Sequence, residues 1–132
     1  MESPRGEHHA REQPLVAVVD DDESVRESLP DLLWELGFAA HVFSSAQEFL
    51  MSDGSSGAGC LILDVAMPGM TGLDLQRELK RRGQKIPIVF ITGHKDEVVR
   101  AQAYKEGAAA FLIKPFSDTA LLEALNTAFR VS

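Results

Sequence analysis

Four short apolar runs in this chain each end in a side chain able to do polar chemistry. Asp20-Asp21-Asp22 follows Leu15-Val16-Ala17-Val18-Val19, and Asp64 follows Cys60-Leu61-Ile62-Leu63. Thr92 follows Ile86-Pro87-Ile88-Val89-Phe90-Ile91, and Lys114 follows Ala110-Phe111-Leu112-Ile113. Continuous apolar runs of this length, bounded by turn residues, read as strands buried on both faces. If the strands are parallel, their carboxyl ends share one edge of the sheet, where polar loops and ligands collect. Three carboxylates (Asp20, Asp21, Asp64), a hydroxyl and an amine then converge from distant parts of the sequence.

Two carboxylates about 5 Å apart at an effective dielectric near 20 repel by roughly 3 kcal/mol, and three carboxylates make three such pairs. Set against a domain stability of about 5 to 15 kcal/mol, that repulsion calls for a cation. Lys114 brings one charge. Oxygen ligands with no His or Cys pair among them favour a hard divalent ion that keeps waters and takes a phosphate oxygen, which describes Mg²⁺, with Mn²⁺ as a substitute. A carboxylate nucleophile, such an ion, a lysine and a hydroxyl make a site for phosphoryl transfer to Asp64. Lys114 would neutralise charge on the transferring group and Thr92 would donate to one of its oxygens, with the bare Gly93 leaving room. Each feature also has an ordinary explanation: an acidic triplet caps a helix, Asp64 opens a proline turn, Thr92-Gly93 is a strand exit and Lys114-Pro115 a loop. Their coincidence at equivalent strand ends is what those explanations do not supply.

The intervening segments supply the rest of the architecture. From Ser24, Val25, Leu29, Leu32, Leu33 and Leu36 follow helical spacing up to Gly37, with Pro30 inside, where a bend or a broken bond to the Arg26 carbonyl is expected. A weaker strand over Phe38 to Phe43 leads to a short helix over Ala46 to Met51, capped by Ser45. Ser52 to Gly59 reads as a loop, since a phosphate-binding P-loop would end in Gly-Lys-Ser/Thr and open a helix. A helix from about Gly72 to Arg82 turns Leu73, Leu75 and Leu79 inward and ends at Gly83. Asp96 to Glu106 is the fourth helix, closed by Gly107, and Asp118 is placed to cap a fifth, with Leu121, Leu122, Leu125, Ala128 and Phe129 on one face. Five strands alternating with five helices imply an α/β fold: a parallel sheet with helices on both faces.

Composition limits the alternatives. The 132 residues suffice for one domain, with residues 1–14 expected to form a loose arm and 15–132 the folded unit. Thirteen basic against twenty acidic side chains give a net charge of −7, which disfavours non-specific nucleic-acid binding. Cys60 is the only cysteine, so no intrachain disulfide can form. His8-His9 is too short to argue a metal site. With no apolar run approaching the roughly 20 residues of a membrane helix and no signal-peptide centre, the sequence reads as a cytoplasmic protein without membrane contact.

The chain resembles the response-regulator receiver domains of the CheY-like superfamily, in their FixJ-type branch. The resemblance is carried by Val18-Val19-Asp20-Asp21-Asp22-Glu23-Ser24-Val25-Arg26, Leu63-Asp64-Val65-Ala66-Met67-Pro68-Gly69-Met70-Thr71-Gly72, Ile91-Thr92-Gly93-His94 and Phe111-Leu112-Ile113-Lys114-Pro115-Phe116, and it spans about Leu15 to Phe129. It implies the flavodoxin-like (βα)5 three-layer sandwich with strand order 2-1-3-4-5, an order that spacing alone does not determine. It further implies Asp64 as phosphoacceptor, and Asp20 and Asp21 as Mg²⁺ ligands together with Asp64 and the Ala66 backbone carbonyl, leaving Asp22 outside the metal pair. Thr92 matches the switch hydroxyl, Lys114 the phosphate contact and Phe111 the aromatic switch position, and the Lys114-Pro115 bond is expected to be cis.

The function so implied is a phosphoacceptor of a two-component phosphorelay. A sensor histidine kinase or a histidine phosphotransfer protein is the expected donor, and the domain is not a turnover enzyme on an external substrate. Phosphorylation would draw Thr92 inward, let Phe111 fill the vacated space and reshape the face of the fourth helix, fifth strand and fifth helix, through which a homodimer could form. Ala66 and His94 flank the route of attacking water and are expected to tune phosphoryl lifetime. A haloacid-dehalogenase-type phosphatase would need a second aspartate where Ala66 stands. A flavodoxin-like FMN binder would want a phosphate loop where three carboxylates repel. A receiver-like interaction module independent of phosphorylation would share the fold, but such a module typically loses one of the acid groups or the lysine, all present here. FixJ-type relatives usually continue into a DNA-binding domain; no basic recognition helix is found in these 132 residues.

Overall fold

The computed structural model describes residues 13–52 and 57–131. Most of the expected arm, His8-His9 and the middle of the Ser52 to Gly59 loop lie outside those residues. Strands β1 (Leu15–Val19), β2 (Ala39–Phe43), β3 (Ala58–Asp64), β4 (Ile88–Thr92) and β5 (Ala110–Ile113) alternate with helices α1 (Glu23–Glu35), α2 (Ala46–Met51), α3 (Gly72–Arg81), α4 (Glu97–Lys105) and α5 (Asp118–Val131). Every strand pair is parallel, and the sheet order is β2-β1-β3-β4-β5.

The period-two alternation of the strands divides the core into two layers. Ala17, Val19, Leu61, Leu63 and Phe90 face the side where Phe49, Leu75, Leu79 and Ala103 come from α2, α3 and α4. Val16, Val18, Cys60, Ile62, Val89 and Ile91 face Leu29 and Leu33 of α1 and Leu121, Leu125 and Ala128 of α5. Burial pushes the Cys60 thiol up to about 12, so it behaves as a small apolar residue.

The helix ends follow local chemistry. Gly37, Gly83 and Gly107 all take positive φ, and at each the glycine N–H and the one after it turn back to the helix, as in Gly37 N–H to Trp34 O and Phe38 N–H to Leu33 O. This is the glycine-terminated Schellman arrangement. Ser45 caps α2 as expected, its hydroxyl accepting the Glu48 N–H at 3.0 Å. One expectation changes. Asp118 lies inside α5 and does not cap it: the Ser117 hydroxyl accepts the Ala120 N–H at 3.0 Å, one residue earlier. α1 continues through Pro30 without interruption and starts at Glu23, because Asp22 caps it by accepting the Ser24 N–H. The missing N–H of Pro30 leaves the Arg26 carbonyl without its helical donor while the flanking turns hold.

Candidate functional site

The four strand ends do meet at one edge. Asp20 sits one residue beyond β1 and is fully buried, and Asp64 and Thr92 close β3 and β4 with 5% and 4% exposure. Asp21 is exposed, Lys114 follows β5 half-buried, and Phe111 is withdrawn into the core with its ring 6.2 Å from that of Phe90. One carboxylate oxygen from each of Asp20, Asp21 and Asp64 lies within 4.8 Å of the others.

Local hydrogen bonds explain how a buried aspartate is held there. The Asp20 N–H donates to Phe43 O at 3.2 Å, and its carbonyl accepts from Arg26 Nη1 at 3.0 Å. Its Oδ1 accepts the Asp22 N–H at 2.9 Å, and its Oδ2 accepts from Lys114 Nζ at 3.1 Å. Asp64 is less well served, since Lys114 Nζ approaches its Oδ1 only to 4.0 Å. Burial first, and then the charges of Asp20 and Asp21 against the opposing pull of Lys114, push the Asp64 carboxyl up to about 7. Asp22 stands apart. Ser24 Oγ and N–H both donate to it and hold its carboxyl below the ordinary range, in keeping with a capping role.

Behind Asp64 the backbone is tightly seated. The Val65 N–H donates to Ile91 O at 3.0 Å, and the Gly72 N–H to Val65 O at 2.9 Å. A Cβ on Gly72 would come 2.4 Å from the Asp64 carbonyl oxygen, so only glycine lets the start of α3 close on β3. Thr71 and Asp74 complete that start with a capping box. On the opposite flank, the Thr92 hydroxyl accepts the His94 N–H at 3.2 Å, the Lys114 N–H donates to Thr92 O at 2.7 Å, and Lys114-Pro115 is cis. Ala66 and His94 are both exposed at the mouth, and a Cβ on Gly93 would touch nothing within 4 Å. Sequence reasoning gave no role to Arg26 or Gly72, although each closes a run that carries the family resemblance, because contacts six and eight residues back are not read from spacing.

Fold and site together define a receiver: a doubly wound parallel sheet with an acid cluster and a lysine at its carboxyl edge. The chain belongs to the family described as “Response regulator receiver domain”, whose profile matches residues 16–126, and is thus the receiver domain of a response regulator of two-component systems. It is 44% identical over 128 residues to the response regulator protein TmoT of Ectopseudomonas mendocina, covering 96% of this chain and 58% of that protein. To the transcriptional regulatory protein FixJ of Azorhizobium caulinodans it is 44% identical over 111 residues, 84% of this chain and 53% of that one. The chain therefore spans about half the length of the curated relatives it matches. Among solved structures, FixJ-N superposes with a TM-score of 0.82 at 40% identity, covering 89% of this chain and 94% of that one. The chemotaxis protein CheY4 of Vibrio cholerae gives 0.79 at 26% identity, with 88% and 98% covered. Among the described residues no helix is long and apolar enough to cross a membrane.

Proposed function

We propose that this receiver accepts a phosphoryl group on Asp64 from the phosphohistidine of a sensor histidine kinase or histidine phosphotransfer protein. The observation that carries the proposal is the meeting of three carboxylates within 4.8 Å with one lysine among them. Asp20, Asp21, Asp64 and the Ala66 carbonyl would hold Mg²⁺, or Mn²⁺ in its place, and the oxygen-only donor set fits such an ion. When bound, that ion supplies positive charge against the phosphoryl oxygens.

An Asp64 carboxylate oxygen attacks phosphorus as the phosphorus–nitrogen bond breaks, the imidazole leaves with the bonding pair and takes a proton, and an acyl phosphate remains. Lys114, held by Asp20 at 3.1 Å, stands 4.0 Å from Asp64 and is in reach of the new oxygens. Thr92 must give up the His94 N–H to turn toward the acyl phosphate. Phe111 is already inside, so the space it fills exists before any such turn.

The responding face is α4, β5 and α5, where Val98, Tyr104 and Ile113 are exposed apolar side chains suited to a homodimer. With the acidic balance of the chain, direct nucleic-acid contact by this domain is disfavoured. The domain works in the cytoplasm, and it is not a turnover enzyme on an external substrate: phosphorylation uses up its Asp64 acceptor, and water attack on the acyl phosphate releases phosphate and restores it.

The test is intact-mass measurement after incubation with acetyl phosphate and Mg²⁺. The parent chain gains one phosphoryl group and Asp64→Asn gains none; an unmodified parent would leave a phosphorylation-independent interaction module as the reading. In the same experiment His94→Ala is phosphorylated but decays at a different rate, and equal decay would remove His94 from the tuning positions.

A further inference from the structure

Asp20 is fully buried, and each of its four polar groups has a protein partner. Three partners belong to the expected machinery of strand, turn and lysine. The fourth, Arg26, does not: it reaches back from the first turns of α1 to put Nη1 3.0 Å from the Asp20 carbonyl oxygen. That carbonyl is one side of the peptide linking Asp20 to Asp21, so its direction sets the plane from which the exposed Asp21 carboxylate departs. Arg26 also lies close enough to α2 that its charge helps, after the two hydrogen bonds from Ser44, to hold the Glu48 carboxyl below its usual range. The guanidinium is thus half-buried and hydrogen-bonded to the end of β1, with its charge felt as far as Glu48 of α2.

We propose that Arg26 is a positioning residue for the acid cluster: by holding the Asp20 carbonyl it sets where the Asp21 carboxylate stands relative to Asp20 and Asp64. This rests on the reading of those three carboxylates as a divalent-ion site. A buried carbonyl stripped of its donor costs about 1 to 3 kcal/mol, and the chain recovers that by rotating the peptide toward water. The rotation carries Asp21 away from its partners and loosens the Asp20 to Asp22 turn.

Arg26→Met, which keeps the stem and removes the donors, is expected to weaken Mg²⁺ binding by calorimetry about tenfold, the equivalent of one such hydrogen bond. In the metal-free protein the Asp22 amide should exchange with solvent about tenfold faster, while the amides of Val16 to Val19 stay protected. Arg26→Lys, which retains a donor and the charge, should recover most of both losses; a purely structural role would not separate Asp22 from the neighbouring strand in this way. Mg²⁺ affinity and Asp22 exchange both within twofold of the parent in Arg26→Met would overturn the proposal. If Arg26→Met does not fold, Arg26→Leu, which also lacks a donor, takes its place with the same expectations and the same overturning result. A parent chain that fails to bind Mg²⁺ would sink the ion-site reading instead, and Asp22 exchange alone would then decide whether Arg26 positions the turn.

Discussion

At the carboxyl edge of the sheet, Asp20 and Asp64 are buried and share one lysine with Asp21 beside them. At the exposed end of α3, Glu78 accepts two bonds from Arg81, at 3.0 and 2.6 Å, and one from Arg82 at 2.7 Å. The same chemical group titrates in opposite directions in the two places. The Arg81 and Arg82 hydrogen bonds draw the Glu78 carboxyl down to about 2, whereas burial and like charge push Asp64 up to about 7. Where cations outnumber carboxylates in water, the charge is settled and idle. Where carboxylates outnumber cations in the interior, an unmet demand for positive charge persists, and that demand is the feature a divalent ion and a phosphoryl group can use.

The contrast can be broken most forcefully at Lys114. Lys114→Met removes the one cation of the buried group and should cost about 3 kcal/mol in urea unfolding at pH 8 with chelator present, much of it returned by Mg²⁺. A loss unaffected by Mg²⁺ would mean the carboxylates do not need the charge. Next comes Asp64→Asn. Asp64 keeps its proton in the folded chain up to about pH 7, while an unfolded aspartate releases it near 3.8. Between these values the folded form binds more protons, so the parent loses stability as pH rises through that window and carries the full loss above it. The asparagine variant escapes this and should be more stable by about 2 kcal/mol at pH 8 without metal, a gain that shrinks to nothing near pH 4. Equal pH profiles for the two proteins would count against a strained carboxylate. The smallest effect belongs to Glu78→Gln, for which the urea midpoint should not move measurably at either pH; a clear loss would show that the exposed network is not idle.

Much of this arrangement was legible in the sequence because it follows from local rules. The apolar runs ending in Asp64, Thr92 and Lys114 gave the strand ends, the alternation with helices gave the parallel sheet, and Ser45, Gly37, Gly83 and Gly107 marked their helix ends. The strand order came only with the family resemblance, since pairing partners are not encoded in spacing. Asp118 is not the cap because Ser117, an equally good capping residue, stands one position earlier, and spacing does not choose between adjacent caps. The preference of Lys114 for Asp20 over Asp64 was beyond reach for a different reason. It turns on a difference between 3.1 and 4.0 Å in the lysine's distances to two carboxylate oxygens, which only packing decides.

Gly72 fixes the direction in which this site can yield. With α3 resting on the peptide that carries Asp64, the acceptor is mounted against a wall on one flank, and close-packed interiors do not compress. On the other flank a side chain at Gly93 would meet open space, and the Thr92 hydroxyl is held by the His94 N–H. Under the proposed phosphorylation, added bulk at the carboxylate would displace the β4 side of the cleft and leave α3 where it is, making the cluster a one-way lever aimed at the edge of the sheet.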